Sequence, residues 1–352
     1  MTLDDRVAAL VADVTAIDPR AAAEAAARHA GLVKPPGSLG RLEAVGAQLA
    51  AIAGTCPPPV PERPAVVVAA ADHGVHAQRV TPWPQRITTA MVEQFCAGTA
   101  AVNALASTVG ASISVLDVGC AVEPPDHPLL RKRRVRVGTD DLSVGPAMTR
   151  DDAARAFLAG AGIAEELIGN GADLLVAGDM GIANTTASAC LIAAFTGSDA
   201  AQVTGRGAGI DDATLAHKRT VVGNALARHS PDPDDPLDVL ATVGGLEHAA
   251  LAGLVCSAAV DRVPVVLDGV ATNAAALAAV ALCPAAAGYL IAGHRSTEPG
   301  AHVALDALGL TALLDLELRL GEGTGGLLAV PLVTAAVRTL TDMASLAELG
   351  VA

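Results

Sequence analysis

Glu322 sits in the run Leu320-Gly-Glu-Gly-Thr-Gly-Gly326, a carboxylate between glycines and ahead of an apolar helical stretch from Leu327 that should kink at Pro331. A carboxylate so placed loses water, holds its proton more tightly and becomes suited to proton abstraction. A lone loop Glu is more often a solvated one, so the reading needs partners. Gly178-Asp179-Met-Gly181-Ile-Ala-Asn184-Thr185-Thr186 follows an apolar run and opens a helix. Free N–H groups and small residues at such a turn admit a phosphate or carboxylate, although an ordinary strand–helix turn looks similar. Thr204-Gly205-Arg206-Gly207-Ala-Gly209 is a second glycine-rich loop, followed by Lys218 and Arg219. It has neither the dinucleotide-fingerprint spacing nor the G-K-[ST] of a P-loop. Lys218 would offer a cation to an anionic substrate unless it lies on a solvated helix face. Ala292-Gly-His294-Arg-Ser296-Thr-Glu298 reads as a strand followed by a polar loop, in which His294 has a structural or binding role. No G-x-S-x-G or H-E-x-x-H occurs, so nucleophilic hydrolase and zincin chemistry lack support.

These residues need a frame, and the frame is legible as a recurring unit. Ala65–Ala71 is followed by Asp72-His73-Gly74, Ser112–Leu116 by Asp117-Val-Gly119, Asp173–Ala177 by Gly178-Asp179, and Val263–Leu267 by Asp268-Gly269. Long Ala-rich helical segments, 87–108, 151–170, 183–195 and 246–260, lie between them. Continuous apolar strands alternating with helices predict a parallel sheet covered on both faces, with ligands at the carboxyl ends of the strands. The four Asp/Gly ends would converge on one rim, each Asp being singly a turn or cap residue. Residues 1–53 read as helical, with Ser38 as a candidate cap for a helix over 39–52 and Cys56–Pro61 as a stiff linker.

Composition narrows the class. The chain has 352 residues, 52% of them hydrophobic, yet only three Phe, one Trp and one Tyr. The core must be Ala, Val, Leu and Ile, and aromatic platforms for single-stranded nucleic acid are excluded. A net charge of −14 argues against gripping nucleic acid or an anionic membrane. The basic run Arg131-Lys-Arg-Arg134 with Arg136 reads as a solvated strand or loop face rather than a phosphate patch, and 231–238 as an acidic surface loop. Six cysteines without a C-x-x-C pair, and an acidic N-terminus, point to a cytoplasmic, reducing location. The uncharged stretch 269–293 is long enough to span a bilayer, but Asn273, Pro284 and Gly288 favour a buried strand–helix passage.

Five motifs stand in order: Lys34-Pro-Pro-Gly-Ser-Leu-Gly40, Ala71-Asp-His-Gly-Val75, Gly178–Thr186, Leu267-Asp-Gly269 and Arg319-Leu-Gly-Glu-Gly-Thr-Gly325. Together, over nearly the whole length, they make the chain resemble the nicotinate-nucleotide:dimethylbenzimidazole phosphoribosyltransferases of cobalamin nucleotide-loop assembly. The resemblance implies an α/β fold, a Rossmann-like parallel sheet flanked by helices, with a small helical domain from both chain ends. It divides the chain into 1–60, a large domain 61–305, and 306–352, which completes the small domain and carries the catalytic loop. It implies a homodimer without cofactor or metal. The reaction moves the 5-phosphoribosyl group of nicotinate mononucleotide to 5,6-dimethylbenzimidazole, giving α-ribazole 5′-phosphate and nicotinate.

By position, the resemblance makes Glu322 the general base and puts Asp179 where some members carry Glu, one methylene longer. Gly181, Asn184 and Thr185, with Gly205 and Gly321, fall at the nucleotide; Lys218 and Ser296 fall at the phosphate. Trp83 and Gln85, in Thr81-Pro-Trp-Pro-Gln-Arg-Ile87, fall in the loop shaping the base pocket, where a lone Trp suits stacking on a flat bicyclic base. Three alternatives stand beside this reading. They are transfer to adenine or a phenol, a non-catalytic nucleotide or base sensor, and a hydrolase in which water replaces the acceptor.

Overall fold

The computed structural model describes residues 1–350. Six strands form its centre: β1 Pro64–Ala71, β2 Ser112–Gly119, β3 Leu130–Lys132, β4 Leu174–Met180, β5 Val265–Leu267 and β6 Leu290–Ala292. They make one sheet in the order β3-β2-β1-β4-β5-β6, every pair parallel. β1 is buried along its whole length because it lies between β2 and β4, with Ala65 opposite Ser112 and Pro64 opposite Leu174. From β1 the chain runs outward to β3, then returns across the sheet to β4. The connections leaving β1 and β4 therefore part, opening a crevice at their carboxyl ends.

The small-residue core lets helices touch backbone to backbone. A Cβ on Gly160 would stand 1.7 Å from the Ala250 carbonyl oxygen, and one on Gly253 would stand 1.9 Å from that of Phe157. Helices Arg150–Gly169 and Leu246–Val260 thus cross with no side chain between them, which large residues would forbid. The uncharged stretch becomes helix Val270–Leu282, buried through Ala279, and packs on Leu246–Val260. Helix Thr324–Asp342 carries Pro331 inside it and is apolar and long enough to cross a membrane. Its buried face packs on helices Arg41–Ala53 and Ala101–Val109.

Both chain ends meet in a small helical cluster. Ala21, Ala25, Ala50 and Leu340 pack together, and the Leu346 and Val33 N–H groups donate to Gly31 O and Ala344 O at 2.8 and 3.0 Å. Helix Leu3–Ala12 lies apart from that cluster. It packs on Arg150–Gly169, with Val7 in the main core and Asp4 2.6 Å from Arg150.

Three local expectations change. Ser38 caps nothing: the helix begins at Arg41 after Gly40, and the Glu43 carboxylate instead takes the Leu39 N–H and the Lys34 ammonium. The segment 87–108 is two helices, Ile87–Ala97 and Ala101–Val109, parted at a left-handed Gly98. β5 starts at Val265 rather than Val263. The basic run is edge strand β3 and its sequel, neutralised locally by Arg131–Glu166 at 2.7 Å and Lys132–Glu123 at 3.0 Å.

Candidate active site

Asp179 ends β4 at the crevice, and Glu322 is folded against it from the far end of the chain. The Glu322 N–H donates to the Asp179 carbonyl oxygen at 3.2 Å. Gly178 makes this approach possible, since a Cβ there would stand 2.7 Å from the Glu322 carbonyl carbon. Glu322 itself has a φ of +63°, a conformation that side chains disfavour. It is held there by Asp268, at the end of β5, whose carboxylate accepts the N–H groups of Gly323, Gly325 and Gly326 at 3.1, 2.7 and 3.1 Å. Those N–H groups are the unpaired donors at the start of helix Thr324–Asp342, so one anion caps the helix and fixes the loop. His294 closes the clamp with Nε2 3.3 Å from Asp268.

The resulting electrostatics are unusual. Glu322 is 5% exposed and its Oε2 has no partner. Burial pushes its carboxyl up to about 7, against the pull of the Val102 N–H and with the Asp268 charge adding to the rise. Burial and the charges of Asp268, Glu247 and Glu322 push Asp179 up to about 8, although the Asn184 amide, donating at 2.7 Å, opposes this. Neighbouring carboxyls that cannot all ionise divide into a proton acceptor and a proton holder.

Lys218 lies in the interior, 2% exposed, on helix Asp212–His229. Its ammonium donates to Thr185 Oγ1 at 2.7 Å and Gly205 O at 3.3 Å, and burial pushes it down to about 8, against the attraction of Glu298. Glu298 accepts the Gly207 N–H at 2.7 Å, and Ser296 Oγ accepts the Glu298 N–H at 3.3 Å. Lys218, Thr185, Gly205 and Ser296 therefore form one polar cluster, joined to Asp179 through the adjacent Asn184. Gly321 also lies here: a Cβ on it would be 3.4 Å from Asp179 Oδ2. Gly181 stands against the His73 ring. Gln85 reaches the same corner, its Nε2 3.5 Å from the His73 carbonyl oxygen. Trp83 stays outside, 47% exposed on a loop tied down by His76 Nε2, 2.9 Å from the Trp83 carbonyl oxygen.

The four strand-end aspartates reach one rim but have different partners. Asp72 accepts from Thr88 Oγ1 and the Ala121 N–H, both at 2.7 Å, and Asp117 from the Gly119 and Cys120 N–H groups at 3.0 and 2.8 Å. Those two hold turns, although Asp117 Oδ2 is left without a partner; Asp268 holds the loop, and Asp179 takes a single side-chain donor. Sequence reasoning missed Glu298, although the polar loop around it stands out, and missed the buried Glu247 and His248. The latter pair stands in a helical run with no local sign of polarity.

The crevice holds two buried carboxyls pushed up by burial and, around the Asn184–Thr185 turn, a buried lysine, and comparison gives the class: a group-transfer enzyme. A family model described as phosphoribosyltransferase matches residues 14–351, and the chain belongs to that family. A nicotinate-nucleotide–dimethylbenzimidazole phosphoribosyltransferase of Salinispora tropica is 55% identical over 350 residues, 96% of each chain. One from Chloroflexus aggregans is 52% identical over 335 residues, 95% of each. The crystal structure of the enzyme so named from Thermus thermophilus superposes with a TM-score of 0.90 at 49% identity, covering 96% of this chain and 99% of that one.

Proposed function

We propose that this chain transfers the 5-phosphoribosyl group of nicotinate mononucleotide to 5,6-dimethylbenzimidazole, with Glu322 as general base. The observation that carries the role of Glu322 is its buried, unpartnered Oε2, on a loop locked by Asp268. One benzimidazole nitrogen attacks the anomeric carbon while Glu322 takes the proton from the other, so the ring leaves neutral. The bond to the pyridinium nitrogen breaks, and its electron pair goes to nicotinate. Positive charge at the anomeric carbon favours a site that excludes water and aligns both reactants. Asp179, still protonated at neutral pH, offers an O–H donor rather than a second base. Thr185, Lys218 and Ser296 bind the phosphate, Gly181, Asn184, Gly205 and Gly321 shape the nucleotide pocket, and Gln85 and Trp83 border the acceptor.

Segments 1–60 and 306–352 make the small helical part of this reading, and 61–305 the large one, with Leu3–Ala12 strapped to the latter. We read the enzyme as a cytoplasmic homodimer. Six free cysteines among the described residues agree with a reducing compartment.

The test is product analysis with nicotinate mononucleotide and dimethylbenzimidazole, with adenine in parallel. Wild type should release nicotinate and α-ribazole 5′-phosphate, and Glu322→Gln should lower kcat on the order of 10²–10³-fold. The rate should rise with pH through about 7 as Glu322 ionises and fall above about 8 as Asp179 does. Reaction with adenine alone would keep the transfer and replace the acceptor. Ligand binding without nicotinate release would sink the enzyme reading.

A further inference from the structure

Behind the Asp179–Asn184 turn runs a buried polar chain that the chemistry above does not use. Ser188 Oγ, one turn along helix Asn184–Thr196, donates to the Asn184 carbonyl oxygen at 2.9 Å and lies 2.8 Å from His248 Nε2. His248 Nδ1 is 2.8 Å from Glu247 Oε1, and the same oxygen is 2.8 Å from His73 Nε2. Ser188, His248, Glu247 and His73 are all 0% exposed. Glu247 Oε2 and His73 Nδ1 have no hydrogen-bond partner, and His248 Nδ1 meets Glu247 Oε1 only as a close contact, without hydrogen-bond alignment. Burying a carboxylate and two imidazoles incompletely satisfied is costly, so a fold that needed only volume would use apolar residues here.

The space is also kept clear for these groups. A Cβ on Gly245 would stand 2.4 Å from His73 Cε1 and 2.6 Å from Glu247 Oε2. The order Ser–His–Glu has the connectivity of a hydrolytic triad, but this serine has no access to solvent and its proton is given to a carbonyl, so it is not a nucleophile. What the chain does touch is Asn184. The Asn184 backbone is gripped by Ser188, and its amide donates to Asp179 Oδ2 at 2.7 Å.

We propose that Glu247, His248 and Ser188 are positioning residues that lock the first turn of helix Asn184–Thr196 and thereby aim the Asn184 amide at the Asp179 carboxyl. Glu247 anchors His248 from the N-terminus of helix Leu246–Val260, His248 holds the Ser188 hydroxyl, and Ser188 fixes Asn184. His73 ties the same anchor to β1 and, through its carbonyl oxygen, to Gln85. A small slip of the Asn184 turn would leave Asp179 without its one side-chain donor.

The kinetic part of this inference rests on the transfer reaction proposed above, and the experiment separates the two. Ser188→Ala and His248→Gln are made in the full chain, alone and on top of Asn184→Ala. The Asn184 side-chain amide resonance, assigned by its loss in Asn184→Ala, is followed by NMR alongside kcat and both KM values. Each single variant should lower kcat on the order of tenfold, as loss of a supporting contact does elsewhere, with the dimethylbenzimidazole KM unchanged. Neither should lower it further in the Asn184→Ala background, because both act through that residue. The amide resonance should shift or broaden in both. Losses that add in full to that of Asn184→Ala, or an unmoved resonance, overturn the proposal. So does a fall in melting temperature with kcat intact. If His248→Gln fails to fold, Ser188→Ala, which removes one oxygen, decides. If wild type releases no nicotinate, the transfer reading fails and the amide resonance still judges the network.

Discussion

β4 and β5 are neighbours, and each presents an aspartate at its carboxyl end, yet the two do opposite work. Asp268 after β5 accepts three backbone N–H groups and faces His294. Asp179 on β4 accepts one side-chain amide. The first is saturated by fixed dipoles and serves as a fastener. The second lacks them and is pushed up to about 8 by burial and by its neighbours' charges. Position at a strand end supplies a carboxylate to the crevice, and the number of donors aimed at it then decides between structure and chemistry.

The most direct challenge to this contrast is to remove the fastener. Asp268→Ala orphans three N–H groups at the start of helix Thr324–Asp342 and releases the Glu322 loop. The cost in stability should be about 4 kcal/mol, since each buried donor left unpaired costs about 1–3 kcal/mol and some regain water. Activity should fall with it. Denaturant unfolding measures the first, and a stable, active variant would show that Asp268 is no fastener. Asp268→Asn, which still accepts from the amides, should fall between.

Glu322 tests the contrast from the other side. Its folded value of about 7 lies above the ordinary 4.5, so the folded chain keeps a proton that the unfolded chain has released. Stability therefore falls as pH rises from about 4.5 to about 7, then levels off. Glu322→Gln removes that cost. At pH 8 the variant should be more stable than wild type by about 3 kcal/mol, because each tenfold gain in proton affinity on folding is worth about 1.4 kcal/mol, and the difference should vanish near pH 4.5. Thermal unfolding across pH tests this, and a pH-independent difference would mean that the carboxyl is not held desolvated. An enzyme stabilised by losing this buried carboxyl shows what the site costs the fold.

The same contrast explains what could be read in advance. The parallel sheet was legible because β1 and β4 are unbroken apolar runs ending in Asp and Gly, which leave few other folds open. β3 was legible only as a choice between strand and loop, since three residues inside a basic run carry no alternation and pair only through tertiary context. Glu322 was legible through the glycines on either side. Its clamp was not, because Asp268 lies more than 50 residues away and looks locally like any turn aspartate. Lys218 looked like a solvated helix lysine beside Arg219, although it falls at helical spacing with Leu215, Val222 and Ala225, the buried face of its helix. Glu247 and His248 were hidden for the opposite reason, lying in a run whose apolar character is real. Residues whose role comes from a distant partner leave no local pattern, whereas those that break a pattern do.

The smallest effect belongs to the part of the rim that neither aspartate reaches. Trp83 is 47% exposed and its backbone is held by Thr81 Oγ1 and His76 Nε2, so the fold does not depend on its ring. The proposed reaction would use this exposed indole, the only one in the chain, for stacking on the planar acceptor. Aromatic stacking adds about 0.5–1.5 kcal/mol beyond area burial, a factor of about 2–10 in binding. Trp83→Ala should raise the dimethylbenzimidazole KM by about fivefold, with Trp83→Phe recovering most of it. Melting temperature, kcat and the nicotinate mononucleotide KM should stay put, because Asp179, Glu322 and Lys218 are untouched. A change in the nucleotide KM instead would put Trp83 on the donor side of the crevice and move the acceptor elsewhere along the rim.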